Sequence, residues 1–305
     1  MQSADSFRLG IVGLGLIGGS VALAARRSGW ASRVVAWDQS DDVLARGRTL
    51  GVIDEAVANL PALMAQVDVV VLATPTRAGE QLLPEILAHS EHVHCVTDVA
   101  SVKGSLRDVA ATLPSEQRAR FVPGHPIAGS ERHGVDAARA DLFAAHRVIL
   151  TPADDTRPGA LAMAHALWKT TGAEVVHMSV DDHDAILAAT SHLPHMLAYA
   201  LVDTLSHAPE RERIFRFAAG GFRDFTRIAS SDPVMWRDIA LSNREALLEA
   251  IDSFGRHLAT LREAVAGGDG AALEQTFREA KAARDQFVQE FEARTGKRPS
   301  SSDVG

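Results

Sequence analysis

Gly13-Leu14-Gly15-Leu16-Ile17-Gly18 places three glycines in a G-x-G-x-x-G spacing. Asp38 follows the last of them by about twenty residues, the interval a dinucleotide fingerprint requires. Gly13 suits a tight turn, Gly15 a close approach of backbone to a pyrophosphate, and Gly18 close packing of helix on strand. Leu16 and Ile17 open the helix whose N-terminal N–H groups and dipole attract the phosphates. A carboxylate at Asp38 accepts hydrogen bonds from ribose hydroxyls and repels a 2′-phosphate. Gln39 and Ser40 follow it, not an arginine, so NAD is favoured over NADP. Asp38 alternatively caps the next helix, and one carboxylate can do both. His125, bracketed by Gly124 and Pro126, is the candidate proton acceptor, since an imidazole titrates at about 6.5. Arg227 is the candidate carboxylate binder, because a guanidinium matches that group bidentately, and Arg223 is a second. The competing reading of Arg227 is an ion pair with Asp224 or Glu131.

These residues need elements to hold them. Arg8 to Val12 predicts a strand, Leu14 to Ser28 a helix, and Arg33 to Trp37 a second strand. A helix capped by Ser40 follows, ending near Gly51. Asp68 to Ala73 is a continuous β-branched run of the kind buried in a parallel sheet. Thr74 and Pro75 end it at the sheet's carboxyl edge, where ligands bind, and are expected to line the cofactor. His94 to Val99, Arg147 to Thr151 and Glu174 to Met178 give three more strand candidates. Alternation of this kind predicts an α/β fold, a doubly wound sheet of Rossmann type. Gly124 and Pro126 are expected to hold His125 in a rigid turn near that carboxyl edge.

Beyond about Ser179 strand-like runs vanish. Ser231-Asp232-Pro233 is a helix start, and the pattern predicts a helix to about Ala266. Gly267-Gly268-Asp269-Gly270 breaks it, and a last helix covers about Ala271 to Arg294. The expected organisation is a nucleotide-binding domain over 1–179 and an all-helical domain over 180–296. A polar tail over 297–305 is expected to be disordered.

The 305 residues are 46% apolar and 23% charged, the balance of a soluble globular protein. The net charge of −8, without long runs of one sign, argues against nucleic-acid or anionic-membrane partners. Cys95 is the one cysteine, which excludes an internal disulfide and points to a reducing, cytoplasmic setting. Leu9 to Ala25 is almost wholly apolar or glycine. It is slightly short to span a bilayer and has no cationic leader, so it reads as strand plus helix.

Four further stretches carry a resemblance. Thr97-Asp98-Val99-Ala100-Ser101-Val102-Lys103-Gly104 and Gly124-His125-Pro126-Ile127-Ala128-Gly129-Ser130-Glu131 come first. Ser191-His192-Leu193-Pro194-His195 and Gly220 to Ala229, running into Ser231-Asp232-Pro233 and Trp236, follow. In this order behind the glycine cluster, they resemble the prephenate/arogenate dehydrogenases from about Phe7 to about Arg294. The resemblance implies NAD-dependent oxidation and decarboxylation of a cyclohexadienyl dicarboxylate, on the route to tyrosine, by a homodimer. It implies that His125 contacts the substrate's C4 hydroxyl, that Ser101 hydrogen-bonds the same region, and that His192 faces substrate and nicotinamide. Ser130 and Glu131 would edge the pocket where prephenate is told from arogenate. Fused mutase or regulatory domains of some relatives are not expected. Residue type alone makes Ser101 equally a helix cap for a stretch starting at Val102.

Other readings compete. The β-hydroxyacid dehydrogenases use a lysine on the first interdomain helix, and His183 to Tyr199 contains none. An NAD-binding regulator without activity need not keep His125, Ser101 and Arg227 together. His192 and His195 share a helical face with His183 a few turns before, but no metal is expected: thiolates are absent and His125 shows no fixed partner cluster. His195 is expected to be structural. Trp236 is expected in a core, with a neighbouring subunit's pocket as the alternative. The long amphipathic stretches of the helical region carry more apolar surface than one small domain buries, which predicts a homodimer.

Overall fold

The apolar runs become six parallel strands: β1 (Phe7–Val12), β2 (Ala31–Trp37), β3 (Glu55–Ala56), β4 (Val69–Leu72), β5 (Cys95–Asp98) and β6 (Phe121–Val122). The computed structural model describes residues 6–129 and 132–295. The sheet order is β3-β2-β1-β4-β5-β6, with every described pairing parallel. The chain thus winds outward one way from β1 and resumes on β1's other side at β4. That reversal is a topological switch point, and it opens a crevice at the carboxyl ends of β1 and β4.

Alternate side chains feed opposite faces of this sheet. Ile11, Val69 and Val71 join Val21, Ala22 and Ala25 in one core, where Phe143 and Trp168 also pack. Val12, Val70 and Leu72 join Leu83, Ile86, Leu87, Leu106 and Phe121 in the other. Two buried faces explain why the central strands read as unbroken apolar runs.

The covering helices are α1 (Leu16–Arg27), α2 (Asp41–Thr49), α3 (Leu60–Met64), α4 (Thr76–Ala88), α5 (Gly104–Ala111) and α6 (Ser115–Arg118). Two expected strands do not join the large sheet. A separate three-stranded sheet pairs β7 (Gly124–Pro126) antiparallel to β8 (Arg147–Leu150) and β8 parallel to β9 (Glu174–His177). α7 (Pro158–Thr170) makes the β8 to β9 crossover. His125 therefore lies in a strand, opposite Ile149, and not in the turn that its neighbours suggested. The pairing is made by residues far along the chain, which flanking glycine and proline do not reveal.

One long helix follows. α8 (Val180–Leu187) passes through a π-helical turn at Ala188–His192 into α9 (Leu193–Ser206). Pro194 has no N–H to continue the ladder, and the wide turn lies immediately ahead of it. Val180–Ser206 is long and apolar enough to cross a bilayer, at mean hydropathy 1.3. It carries buried His183, Ser191, His192 and His195.

α10 (Arg211–Arg216), α11 (Gly220–Thr226) and a 3-10 turn at Arg227–Ser230 precede α12 (Pro233–Ser242). Asp232 caps α12, its carboxylate accepting from Met235 N at 2.7 Å. The helix expected to reach Ala266 stops at Asn243, whose backbone leaves the helical region at φ −107°, ψ 39°. Its Nδ2 donates to the carbonyl oxygen of Asp184 at 2.8 Å, a tertiary contact that local pattern does not show. α13 (Arg244–Gly267) and α14 (Gly270–Thr295) complete the chain, separated at Gly268 with φ +68°.

Two compact units result, Met1–Asp184 with Asp232–Asn243, and Ala185–Ser231 with Arg244–Gly305. α12 belongs to the first, where Ser242 Oγ donates to Glu80 on α4 at 3.1 Å and Trp236 is buried, as expected of a core residue. In the second, Tyr199 on α9 donates to the Ser231 carbonyl at 2.8 Å. The expected disordered tail over 297–305 lies outside the described residues, as do Ser130 and Glu131.

Candidate active site

The glycine loop has the geometry its spacing requires. Gly13 takes φ +93°, and a Cβ there would sit 2.7 Å from the carbonyl oxygen of Ala73. A Cβ at Gly18 would meet the Gly13 carbonyl oxygen at 2.2 Å, so helix and loop touch. Gly15 differs: a Cβ would find nothing within 4 Å. The open space lies at the N-terminus of α1, which no side chain caps. Leu16 and Ile17 form that first turn, leaving its N–H groups to an anion.

Asp38 stands at the end of β2. Its carboxylate accepts from Leu14 N at 2.8 Å and from Ser40 N at 3.0 Å, bracing the glycine turn. Ser40, not Asp38, caps α2 by accepting from Val43 N. Thr74 follows β4 beside the loop, and its buried Oγ1 has no hydrogen-bond partner among the described residues. An open cradle at a helix N-terminus, a ribose-height carboxylate and an orphaned hydroxyl fit a dinucleotide. Gly13 to Gly18, Asp38, Thr74, Pro75 and Ser101 follow the carboxyl ends of parallel strands β1, β2, β4 and β5, and so share one edge.

A buried ion pair ties His125 to that edge. Lys103 and Asp98 are almost wholly enclosed, and Lys103 Nζ donates to Asp98 Oδ2. Nζ also donates to the Gly124 carbonyl at 2.7 Å, while Asp98 Oδ1 accepts from Gly124 N at 3.0 Å. Both backbone groups of the residue before His125 are thereby clamped to the end of β5. Burial pushes the Lys103 amine below its ordinary range, and the charge and hydrogen bond of Asp98 oppose this.

His125 itself is 8% exposed. Its Nδ1 lies 2.9 Å from Nε2 of His183, whose Nδ1 lies 2.7 Å from Asp184 Oδ1. His125 thus has the fixed partner that its sequence surroundings did not show. Asp184 also accepts from Lys103 N at 2.9 Å and Gly104 N at 2.8 Å. Burial alone would raise the Asp184 carboxyl, but bonds from His183, Lys103 and Gly104 outweigh it and hold it below the usual range. Those bonds cap α5, which starts at Gly104. The alternative that Ser101 caps a helix from Val102 is therefore overturned, and its side chain is left for another task.

Sequence reasoning missed Asp98, Lys103, Asp184 and Asn243, and grouped His183 with the wrong histidines. The available signal was a charged residue closing an apolar strand, Asp98, and a lysine five residues on.

The second unit holds the other candidates. His192 is buried in the π-helical turn. His195 Nδ1–H donates to the Ser191 carbonyl at 2.9 Å. Burial lowers the pKa of His195, the positive charge of Arg227 adds to that, and the Ser191 bond opposes it. Arg227 is half-buried in the 3-10 turn after α11. Arg223 points outward and pairs with Asp224 at 3.2 Å, so Asp224 is the partner of Arg223.

Comparison with known proteins agrees with this architecture. Residues 21–177 match the model for "Prephenate dehydrogenase, nucleotide-binding domain", and residues 179–279 that for "Prephenate dehydrogenase, dimerization domain". The chain is 41% identical to a prephenate dehydrogenase of Bacillus subtilis over 90% of its own length and 74% of the relative's. It is 38% identical to a cyclohexadienyl dehydrogenase of Zymomonas mobilis, covering 90% of this chain and 94% of the other. Among solved structures, Aquifex aeolicus prephenate dehydrogenase in complex with hydroxyphenyl propionate and NAD+ superimposes with a TM-score of 0.87. That match has 37% identity and covers 94% of this chain and 100% of that one. Synechocystis arogenate dehydrogenase gives a TM-score of 0.79 at 29% identity, covering 92% and 100%.

Proposed function

Because this chain belongs to the prephenate dehydrogenase family, we propose that it oxidises and decarboxylates prephenate to 4-hydroxyphenylpyruvate and carbon dioxide, using NAD. The observation that carries this is the buried chain Asp184–His183–His125, which gives a base its acceptor nitrogen. NAD held at Gly13 to Gly18 and Asp38 supplies a hydride acceptor, and Thr74 and Pro75 line its site. His125 takes the proton of the C4 hydroxyl as the C4–H hydride leaves, so a carbonyl forms at C4. Loss of carbon dioxide from C1 then makes the ring aromatic, which drives the step forward without a metal electron sink. Ser101, hydrogen-bonded to the same hydroxyl, helps align it with His125.

Arg227 binds a substrate carboxylate, with Arg223 secondary, and His192 faces ring and nicotinamide in this reading. Similarity to a cyclohexadienyl dehydrogenase and to an arogenate dehydrogenase supports a second reading, in which arogenate is also accepted. NADH absorbance after addition of prephenate, and separately of arogenate, decides between them; no NADH from either substrate overturns the proposal.

We also infer a cytoplasmic homodimer. Residues 179–279 match a dimerization domain, and Leu248, Ile251, Phe254 and Leu258 form an exposed apolar stripe along α13. A monomer by light scattering at working concentration would reject it.

A further inference from the structure

We propose that His183 and Asp184 are positioning residues that fix the tautomer and orientation of His125, so that Nε2 is the ring atom which accepts the proton. The proposal rests on the reading of His125 as the base and adds what makes it one.

The hydrogen-bond chain permits one assignment of protons. Asp184 takes N–H groups from Lys103 at 2.9 Å and Gly104 at 2.8 Å, which marks it as an ionised acceptor. A carboxylate only accepts, so His183 Nδ1, 2.7 Å from Asp184 Oδ1, carries hydrogen. A neutral imidazole has one donor and one acceptor, so His183 Nε2 accepts. The atom 2.9 Å from it is His125 Nδ1, which must donate. His125 is left with its lone pair on Nε2.

The opposite assignment needs a charged His183. Burial disfavours that charge first, and nearby Lys103 adds to the penalty, against Asp184 and Asp98. The pair is also held in place. Asn243 Nδ2 donates to the Asp184 carbonyl at 2.8 Å, and the Lys103–Asp98 clamp fixes Gly124. When the substrate O–H bond breaks and an Nε2–H bond forms, the positive charge stays on His125, and its Nδ1–H remains donated to His183. Asp184 takes up no proton.

The test uses full-length protein with 15N-labelled histidine, and variants His183→Leu and His183→Gln. Long-range proton–nitrogen spectra at neutral pH are expected to report Nδ1–H tautomers at both His125 and His183 in the parent protein, a readout independent of activity. Glutamine offers an oxygen to His125 and an amide to Asp184; leucine offers neither. His183→Leu is expected to lower kcat with prephenate on the order of 100-fold, with KM for prephenate changing far less, and His183→Gln to restore most of it. An Nε2–H tautomer at His125, unchanged kcat in His183→Leu, or equal losses in the two variants would overturn the proposal. If the parent protein forms no NADH with either substrate yet has the Nδ1–H tautomers, it is the functional reading that fails.

Discussion

The rings of His125 and His183 meet edge to face, with centroids 5.1 Å apart and an interplanar angle of 63°. One ring lies on a strand of the small sheet and the other on α8, so the His125 ring meets an element that its own strand does not contain.

Replacing His125 should separate binding from turnover. His125→Asn keeps a polar side chain of smaller size on β7 but offers no titrating nitrogen. The variant is expected to fold and bind NAD, while kcat with prephenate falls about 10²- to 10⁴-fold. Unchanged NADH formation would remove His125 from its role.

The glycine loop should give two different phenotypes. Gly18→Ala forces a Cβ to 2.2 Å from the Gly13 carbonyl oxygen, so a loss of about 1–3 kcal/mol in folding stability is expected. At Gly15 a Cβ meets no protein atom within 4 Å. Gly15→Ala should therefore keep its melting temperature while weakening NAD binding, as calorimetry would read.

Lys103→Met would leave the Asp98 carboxylate enclosed without its cation. Removing one partner of a buried pair costs about 3 kcal/mol or more, and the change should appear as a lower denaturation midpoint. Because the pair clamps Gly124, whatever folded variant is recovered should also lose kcat.

Stability should rise with pH near neutrality. Burial, then Lys103, holds His183 below its ordinary 6.5 despite Asp184. The unfolded chain takes up that proton at a higher pH than the folded one does. The contribution is thus complete above about pH 6.5 and is lost as pH falls through the lower folded value. Asp184, held below 3.8, has the same sign in a more acid window. Melting temperature should drop between about pH 7.5 and 5.5, and less steeply in His183→Gln.

Arg227→Leu tests carboxylate binding in the second unit. Loss of a charge-assisted hydrogen bond is worth about 1.5–3 kcal/mol, so KM for prephenate should rise roughly 10- to 100-fold. Arg223→Leu, which removes an exposed side chain paired with Asp224, should change KM far less.

What the sequence determined is what local chemistry encodes. The three glycines answer to one turn and one helix start, and Asp38 to the next strand end. Asp68 to Ala73 had to be a buried strand because no alternating polar face was offered, and Pro233 behind Asp232 had to begin a helix. Gly268 had to break one. These signals lie within a few residues of the structure they specify.

Tertiary structure decided the rest. His125 and His183 are 58 residues apart, and nothing in either neighbourhood names the other. Asn243 ends a helix that its pattern would continue, because its side chain reaches the carbonyl of Asp184. The Arg147 strand left the main sheet to pair with β7, and the Glu174 strand paired in turn with β8. Lys103 is a clamp only because it is buried against Asp98 and reaches the Gly124 carbonyl. In each case the deciding energy is a hydrogen bond or a desolvated charge between distant segments, and such a contact exists only once the chain has folded.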